Sequence, residues 1–263
     1  TDTAFQTLIK NNIKPDIVVS IDGQNISYNH YFSAQKTYKN TIFLFDLCST
    51  SQTIKKLAKN ETIIGFFLNS HPLCLLLKNE FPQINTTSGT VTITALEIAL
   101  KLGFTNIQIL GADFGFINGK SYAKGTYFDS LYNKKSNKIY NNETTFDKLL
   151  FRTKLINEEH KKTTILLKNY EYYLENYLKS LKLSFNYKNY VYEITNNLKK
   201  TLTIQSFFTD FKYEDFKNDI LQCKKDDLLI SLLPYIAFLR KKNNNLLLEE
   251  YLNIAYKDLL RLI

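Results

Sequence analysis

The chain has 263 residues, of which 44% are hydrophobic, 22% charged and 14% aromatic, and its formal net charge is +9. These proportions are typical of a globular chain that buries a core, and they exclude a disordered tail, a collagen-like fibre and a disulfide-stapled mini-protein. No stretch approaches ~18 consecutive apolar residues, so we predict neither a transmembrane helix nor a membrane partner.

The residue types that are rare or absent narrow the class further. The sequence contains no methionine and begins at Thr1, and we therefore expect it to be an excerpt of a longer protein. Its three cysteines, Cys48, Cys74 and Cys223, lack the spacing of a metal site and indicate thiols in a reducing compartment. With only three histidines besides, we expect no metal site. No basic-then-apolar leader is present, so we expect a cytoplasmic location.

The positive charge is unevenly distributed, with +2 over residues 1–130 and +7 over residues 131–263. Only three of the cations are Arg, the residue that nucleic-acid readers favour for bidentate contacts. We therefore predict no nucleic-acid partner. The basic second half is interpreted as a solvated lysine-rich surface, with an acidic partner as the alternative.

Short apolar runs rich in β-branched and aromatic residues predict buried strands in the first half of the chain. They lie at residues 17–22, 42–47, 62–68 and 106–112. Helix-like segments accompany them at about residues 3–13, 51–59, 72–80 and 90–102. The alternation of strand and helix with short connections predicts an α/β fold, a parallel sheet with helices on both faces.

After residue 113 the composition changes. Residues 113–145 are rich in Gly, Asn, Lys and Tyr and predict a long irregular excursion, a kind of loop that is usually functional or mobile. The remaining elements are a helix at 146–182 broken near 161–164, a short strand at 190–194, and two or three amphipathic helices over 213–262. Pro234 is expected to open or kink one of these last helices.

Polar residues close each predicted strand. They are Asp22-Gly23-Gln24, Asp46, Asn69-Ser70-His71 and Asp113. Ligands of open parallel sheets bind beyond the carboxyl ends of the strands, although Asp, Asn and Ser also serve as helix caps and turn formers. Both interpretations stay open for each residue alone, but the four sites together favour a polar crevice along one edge of the sheet.

A small-residue turn, Thr87-Ser88-Gly89-Thr90, leads into the predicted helix at 90–102. Free backbone N–H groups and the positive end of the helix dipole at such a turn suit a phosphate. Gly89 allows close backbone approach, and Ser88 and Thr90 offer hydroxyls. No Gly-Lys-Ser/Thr follows, so the turn is not a P-loop; a plain helix cap by Thr87 or Ser88 is the alternative.

A second candidate segment begins at Gly111-Ala112-Asp113-Phe114. Asp113, at a strand end beside small residues, is placed to accept from a ribose hydroxyl or to hold a cation. The Tyr/Lys/Gly loop at 118–127 is expected to fold over a ligand, with Phe114 or Tyr122 stacking on a base.

Four segments in this order resemble the DUF115 (MptE-like) family. They are Pro15 to Asp22, Thr87 to Val91, Leu110 to Asp113, and Ser121 to Thr126. That family includes motility-associated Maf-type glycosyltransferases and archaeal 6-hydroxymethylpterin diphosphokinase-like proteins, and the stretch from Thr87 to Tyr122 is also similar in pattern to bacterial CMP-sialic acid sialyltransferases. The resemblance covers roughly residues 1–160. It implies a Rossmann-like, doubly wound, mostly parallel domain over 1–200 and a C-terminal helical extension over 201–263.

The resemblance implies a glycosyltransferase that takes a CMP-activated nonulosonic acid as donor and a Ser/Thr of a flagellin-like protein as acceptor. The residues implied to bind the donor nucleotide are Thr87, Ser88, Gly89, Thr90, Gly111, Asp113, Phe114 and Gln24. The implied catalytic residues are His30, Asp22 and Asp113.

Two departures from the family pattern accompany these expectations. The family's opening strand and Gly-x-Gly-Pro-Ser-Leu loop are expected just upstream of Thr1. The sialyltransferases use a His base well after the Gly-x-Asp-Phe strand, and the corresponding candidate, His160, lies in a segment that predicts an exposed helix face. His30 is therefore the better candidate, with a partly buried His that begins a helix as its alternative, whereas His71 before Pro72 indicates a turn residue.

Two further functions stay open. A diphosphotransferase acting from ATP on a pterin alcohol would need Mg²⁺ and at least two converging carboxylates, for which Asp22 and Asp113 are the pair to follow. An inactive Rossmann scaffold would bind a flagellar partner through its basic helical half. No other cofactor is predicted.

Overall fold

The computed structural model describes residues 1–31, 40–59, 62–159 and 161–263, and the side chain of residue 118 is outside this description. The first half contains α1 (Asp2–Lys10), β1 (Ile17–Ser20), β2 (Ile42–Asp46), α2 (Ser51–Ala58), β3 (Ile63–Phe67), α3 (Pro72–Leu75), α4 (Val91–Lys101) and β4 (Asn106–Leu110). The second half contains α5 (Tyr127–Asn133), α6 (Asn142–Leu150), β5 (Ile156–Asn157), β6 (Lys162–Thr163), α7 (Ile165–Ser180), β7 (Ser184–Lys188), β8 (Val191–Thr195), α8 (Tyr213–Gln222), α9 (Lys225–Ser231), α10 (Leu233–Lys242) and α11 (Leu248–Leu262). Short 3₁₀ turns occupy Asn25–His30, Ile117–Gly119 and Ile204–Phe207.

Three of the four predicted strands form a parallel sheet in the order β1-β2-β3. Successive side chains of a strand point to opposite faces, so each strand contributes to two layers. Val18 and Phe43 pack with Phe5 of α1 and Leu57 of α2 on one face, while on the other face Leu44 belongs to the cluster that contains Ile98 of α4. Helices therefore cover both faces of this sheet.

The fourth predicted strand forms at Asn106–Leu110, but its partner differs from the expectation. It pairs antiparallel with β8, whose other neighbour is β7. Apolar and polar side chains alternate along this strand, because Ile107 and Ile109 pack against the core while Gln108 is exposed. A strand with one solvent-exposed face is typical of antiparallel sheets. The described residues thus confirm a mixed α/β fold with a three-stranded parallel sheet, without confirming the doubly wound arrangement.

The helices predicted in the first half are present, with shifted ends. The predicted helix at 72–80 ends already at Leu75 and continues as turns. The predicted helix at 146–182 is two helices, α6 and α7, separated by the β5–β6 hairpin, so the expected break is confirmed just before Ile165.

The excursion at 113–145 is less irregular than expected, since it contains α5 and the start of α6. The last segment holds four helices rather than two or three, and Pro234 lies in the first turn of α10. Leu229, Ile236, Tyr251 and Ala255 form a small cluster of their own there. Within the described ranges, no helix is both long and apolar enough to cross a bilayer.

The chain beyond position 200 contributes to the core of the parallel sheet. Phe207 is 0% exposed and packs with Val19, Leu44 and Phe67. Gly65 on β3 makes room for it, because a Cβ added there would lie 2.9 Å from the Cβ of Phe207. The chain therefore returns to the sheet after β8, before it enters the C-terminal helices.

Candidate functional site

The carboxyl ends of the three parallel strands form a continuous edge. The loop after β1 packs against the loop after β2, since a Cβ added at Gly23 would lie 2.9 Å from the carbonyl oxygen of Cys48. Thr50 strengthens this contact by donating from Oγ1 to Asn25 Oδ1 at 3.1 Å. Adjacent strands lie ~4.8 Å apart, so the edge from β1 to β3 spans about 10 Å.

His30 lies at the β1 end of this edge, in the 3₁₀ turn that follows it. It is 8% exposed, and its Nδ1 has no hydrogen-bond partner among the residues that the structure describes. Burial lowers the pKa of His30 below its ordinary value of 6.5, although the negative charges of Asp2 and Asp22 act in the opposite direction. The imidazole is therefore neutral at pH 7.

Asp2 belongs to the same group, and the sequence analysis did not single it out. Its Oδ2 accepts from Ser20 Oγ at 2.6 Å and its Oδ1 accepts from the backbone N–H of Thr3 at 2.7 Å. An Asp in the first turn of a helix ordinarily stabilises the helix dipole, so nothing in the sequence distinguishes this buried carboxylate from a surface one.

Asp22 has a local role in the turn as well as an electrostatic one. Its Oδ1 accepts from the backbone N–H of Gln24 at 2.8 Å, the contact expected of a turn-forming Asp. The side chain of Gln24 is exposed. Its charge also acts on Tyr127, whose pKa is raised to about 12, chiefly by burial.

An aromatic segment at residues 122–132, here named the aromatic loop although it continues into α5, lies over His30. The ring of Tyr127 meets the His30 ring edge-on, with 4.6 Å between centroids, and Phe128 stacks on both Tyr127 and Tyr122. The loop is anchored to α1, because Thr7 Oγ1 donates to the carbonyl of Lys124 at 3.4 Å. The segment that was expected to fold over a ligand therefore packs on the buried histidine.

The Thr-Ser-Gly turn precedes α4 as predicted. Gly89 has φ +68°, a left-handed conformation that favours glycine, and its N–H donates to the carbonyl of Thr86 at 3.1 Å. The helix cap is Thr90, whose Oγ1 accepts from Thr92 N–H at 3.3 Å, rather than Thr87 or Ser88. Among the residues that the structure describes, the hydroxyl of Ser88 has one contact, a long one with Thr90 N–H at 3.5 Å.

A cleft of about 380 Å³ lies beside this turn, next to the end of β3. Its lining residues are Ser70, Gln83, Ile84, Asn85, Thr87, Glu97 and Lys101. Lys101 Nζ lies 2.8 Å from Glu97 Oε1 and donates to the carbonyl of Gln83 at 2.9 Å. The volume is within the range of small-molecule sites. The polar groups that the cleft presents to a ligand include the hydroxyls of Ser70 and Thr87 and the ammonium of Lys101, which is already paired with Glu97.

Asp113 lies three residues after the end of β4. Lys161 Nζ donates to its carbonyl oxygen at 2.8 Å and to Glu171 Oε1 at 3.1 Å. Burial raises the pKa of the Asp113 carboxyl, and the charge of Lys161 opposes this shift. Phe114 has φ +45° and is 8% exposed within the core around Leu174, whereas a Cβ added at Gly111 would meet no atom within 4 Å.

The structure gathers the predicted residues into separate groups. Asp22 and His30 form one with Asp2. The Gly89 turn lies near the hydroxyl of Tyr170 on α7. The carbonyl of Asp113 is bonded to Lys161, which pairs with Glu171 of the same helix. Within the described ranges, no hydrogen bond or ion pair joins Asp113 to Ser88, Gly89 or Asp22.

The two other histidines of the sequence analysis take no part in these groups. His71 is exposed, and its backbone N–H donates to Asn69 Oδ1 at 2.8 Å, in keeping with a turn residue. His160 lies outside the described residues.

The comparisons with known proteins agree with the family resemblance. The sequence model of the family described as "6-hydroxymethylpterin diphosphokinase MptE-like" matches residues 1–119. An uncharacterised protein of Treponema pallidum (strain Nichols) is 28% identical over 224 residues, which are 83% of this chain and 75% of that protein. No solved structure matches. The resemblance to the MptE-like family is therefore confirmed for residues 1–119, a little under half of the chain.

Proposed function

We propose that this chain is a transferase that moves a group from a nucleotide-activated donor to a hydroxyl acceptor. The observation that carries the proposal is the environment of His30, which is buried, flanked by Asp2 and Asp22, and has no described partner at Nδ1. A buried imidazole that is neutral at pH 7 suits a general base. The match of residues 1–119 to the MptE-like family, whose description names a diphosphokinase, supports a transferase role.

The donor is proposed to be a nucleotide sugar, a CMP-nonulosonic acid, and the acceptor a Ser/Thr of a flagellin-like protein. The hydroxyl oxygen attacks the anomeric carbon, the bond from that carbon to the phosphate oxygen breaks, and its electron pair leaves with CMP. Nδ1 of His30 takes the hydroxyl proton. The charges of Asp2 and Asp22, which oppose the lowering of the His30 pKa by burial, stabilise the imidazolium that forms.

The donor phosphate is proposed to bind at the cleft beside α4, where Ser70, Thr87 and Lys101 are available. Lys101 is paired with Glu97, so a phosphate there competes with a carboxylate for one cation. The edge of the parallel sheet separates this cleft from His30 by the ~10 Å from β3 to β1, so transfer requires the donor and His30 to be brought closer together. Since Tyr127 covers His30, entry of the acceptor requires a displacement of the aromatic loop at 122–132.

Calorimetry with CMP, CDP, UDP and GDP, followed by a transfer assay, tests the proposal. His30→Asn is compared with His71→Asn, since His71 is an exposed histidine beyond the end of β3. We expect both variants to bind CMP like the wild type, with transfer reduced about 10²-fold or more in His30→Asn alone. The absence of binding by any pyrimidine nucleotide, or equal transfer by the two variants, contradicts it.

The description of the matching family favours a second candidate, diphosphate transfer from ATP to a pterin alcohol. That reaction would need Mg²⁺ to neutralise the phosphate charge, and at least two converging carboxylates would hold the ion. The fit is partial: within the described ranges, no three His, Cys, Asp or Glu residues are grouped to hold a metal. Asp2 is hydrogen-bonded through both oxygens, and Asp22, among the described residues, accepts from Gln24 through Oδ1 alone, so Asp22 is the candidate ligand beside His30. ATP binding that requires Mg²⁺ would support this candidate over the sugar donor, and Mg²⁺-independent binding would exclude it.

A further inference from the structure

Two thiols lie together in the middle of the carboxyl edge, apart from His30 and the cleft. Cys48 follows β2 and Cys74 is in α3, and their Sγ atoms are 3.6 Å apart. Cys48 is exposed, whereas Cys74 is 7% exposed. We propose that this pair is a reversible oxidation site, which closes to an intrachain disulfide in the presence of a peroxide. The inference does not depend on the proposed transferase activity.

Neighbouring donors make Cys48 the reactive member of the pair. Asn69 Nδ2 donates to Cys48 Sγ at 3.2 Å, and the same amide is held in place by Asp46 Oδ1 at 2.9 Å. The hydrogen bond from Cys74, together with that from Asn69, lowers the pKa of Cys48 to about 7, although burial and the charge of Asp46 oppose the shift. The thiolate is the nucleophile in sulfur chemistry.

Cys74 has the properties of a resolving thiol. Its hydrogen bond to Cys48 and its burial raise its pKa, so it stays protonated until its neighbour is oxidised. An accessible thiol of low pKa beside a second, resolving thiol is the arrangement found in redox-sensing cysteines. Burial also keeps the oxidant away from Cys74, which directs the first step to Cys48.

The geometry allows the bond. A disulfide has its sulfurs ~2.05 Å apart, so the two Sγ atoms must approach by roughly 1.5 Å. Cys48 lies in a turn between β2 and α2 rather than within either element, where a side-chain rotation meets less resistance than in the sheet. The competing use of paired thiols, a metal site, is not supported among the described residues.

The reaction balances with hydrogen peroxide as oxidant. The Cys48 thiolate attacks one peroxide oxygen, the O–O bond breaks, and the departing hydroxide takes up a proton to become water. The sulfur of Cys74 then attacks the Cys48 sulfenic acid, the S–O bond breaks, and a second water leaves with the Cys74 proton. Two thiols are thereby oxidised by two electrons, and the peroxide is reduced to two waters.

Cys223 supplies an internal control. It lies between α8 and α9, and burial together with the charges of Asp227 and Asp219 raises its pKa. It should therefore react slowly with peroxide and remain a thiol when the other two have been oxidised.

The experiment treats the reduced full chain with hydrogen peroxide, counts free thiols and maps disulfide-linked peptides by mass spectrometry, beside Cys48→Ser, Cys74→Ser and Cys223→Ser. The wild type is expected to fall from three thiols to one, with Cys48 linked to Cys74 and the mass lowered by two hydrogens. Cys223→Ser should form the same link, Cys48→Ser should keep both its thiols, and Cys74→Ser should stop at a dimedone-trappable sulfenic acid on Cys48.

The link between Cys48 and Cys74 is measured in the wild type. The test therefore stays decisive even if the Cys74→Ser variant does not fold. The proposal is overturned if the wild type yields only intermolecular disulfides, or if Cys223 is oxidised as fast as Cys48. It is equally overturned if dithiothreitol does not restore the two lost thiols, because the modification would then be irreversible.

Discussion

Replacement of Phe207 by Ala tests whether the segment after β8 is part of the sheet core. Phe207 is 0% exposed and packs with Val19, Leu44 and Phe67 on the face of the parallel sheet that α4 also covers. Because Gly65 has no side chain, the backbone oxygen and Cβ of Phe207 approach β3 closely. The surrounding strands and helix hold this space open, so it cannot collapse around a truncated side chain.

The expected loss follows from the complete burial of the ring. Replacing a core Phe by Ala typically lowers the free energy of unfolding by about 3–5 kcal/mol, which includes the transfer of the ring and the cavity that remains. We expect Phe207→Ala to lie within this range. Phe104 provides the matched control: it is 55% exposed, so Phe104→Ala should cost less than about 1 kcal/mol.

Urea unfolding followed by circular dichroism measures both variants, with the change in midpoint converted to free energy at an unchanged slope. The reasoning would be refuted by a Phe207→Ala loss no larger than that of Phe104→Ala. Such a result would mean that residues 201–263 fold as an extension that contributes little to the sheet. A loss of the expected size instead places Phe207 within the same cooperative unit as β1–β3, seven positions beyond the boundary proposed at residue 200.

Three further predictions concern the packing at Gly65, the protonation of His30 and the reactivity of Cys48. Gly65→Ala should lower the free energy of unfolding by about 1–3 kcal/mol, since the new Cβ would lie 2.9 Å from both Leu44 Cδ2 and Phe207 Cβ; an unchanged urea midpoint would contradict this packing. His30 has a folded-state pKa below its unfolded value of 6.5, so stability should be full above pH 6.5 and fall as the pH drops below it. The urea midpoint of His30→Asn should lack that fall, and parallel pH curves for the two proteins would refute the burial argument. Alkylation of Cys48 by iodoacetamide should rise with pH to half its maximal rate near pH 7, while Cys223, whose pKa is raised, should need a higher pH; identical profiles would contradict the hydrogen bonds assigned to Cys48.

The three parallel strands could be predicted from local sequence, whereas the number of strands in their sheet could not. The runs that became β1, β2 and β3 are continuous and apolar because both of their faces are buried. The alternation of apolar and polar residues at Asn106–Leu110 indicates an antiparallel strand, and it could have separated β4 from that sheet. The third strand of the β4 sheet, β7 (Ser184–Lys188), mixes aromatic, polar and charged residues, so its structure depends on pairing with β8 rather than on its own composition.

Individual residues of the candidate site could be predicted from the sequence, but not all of those that lie together in the structure. Asp22, His30 and the aromatic loop lie together, and each carried a recognisable sequence signal. Asp2 carried none, because its buried contact with Ser20 depends on how α1 packs against β1. The contact between Cys48 and Cys74, 26 positions apart, likewise depends on β3 lying beside β2, and no spacing rule for cysteines encodes such a neighbourhood.

The position of α7 has a thermodynamic consequence for ligands. Tyr170, near the Gly89 turn, and Glu171, bound to Lys161 beside Asp113, are consecutive residues, and consecutive helical side chains diverge by about 100°. A ligand whose binding moved α7 at one of these residues would also move its neighbour in the helix. In that case the affinities for ligands at the two places would be linked, each changing the other by the same factor.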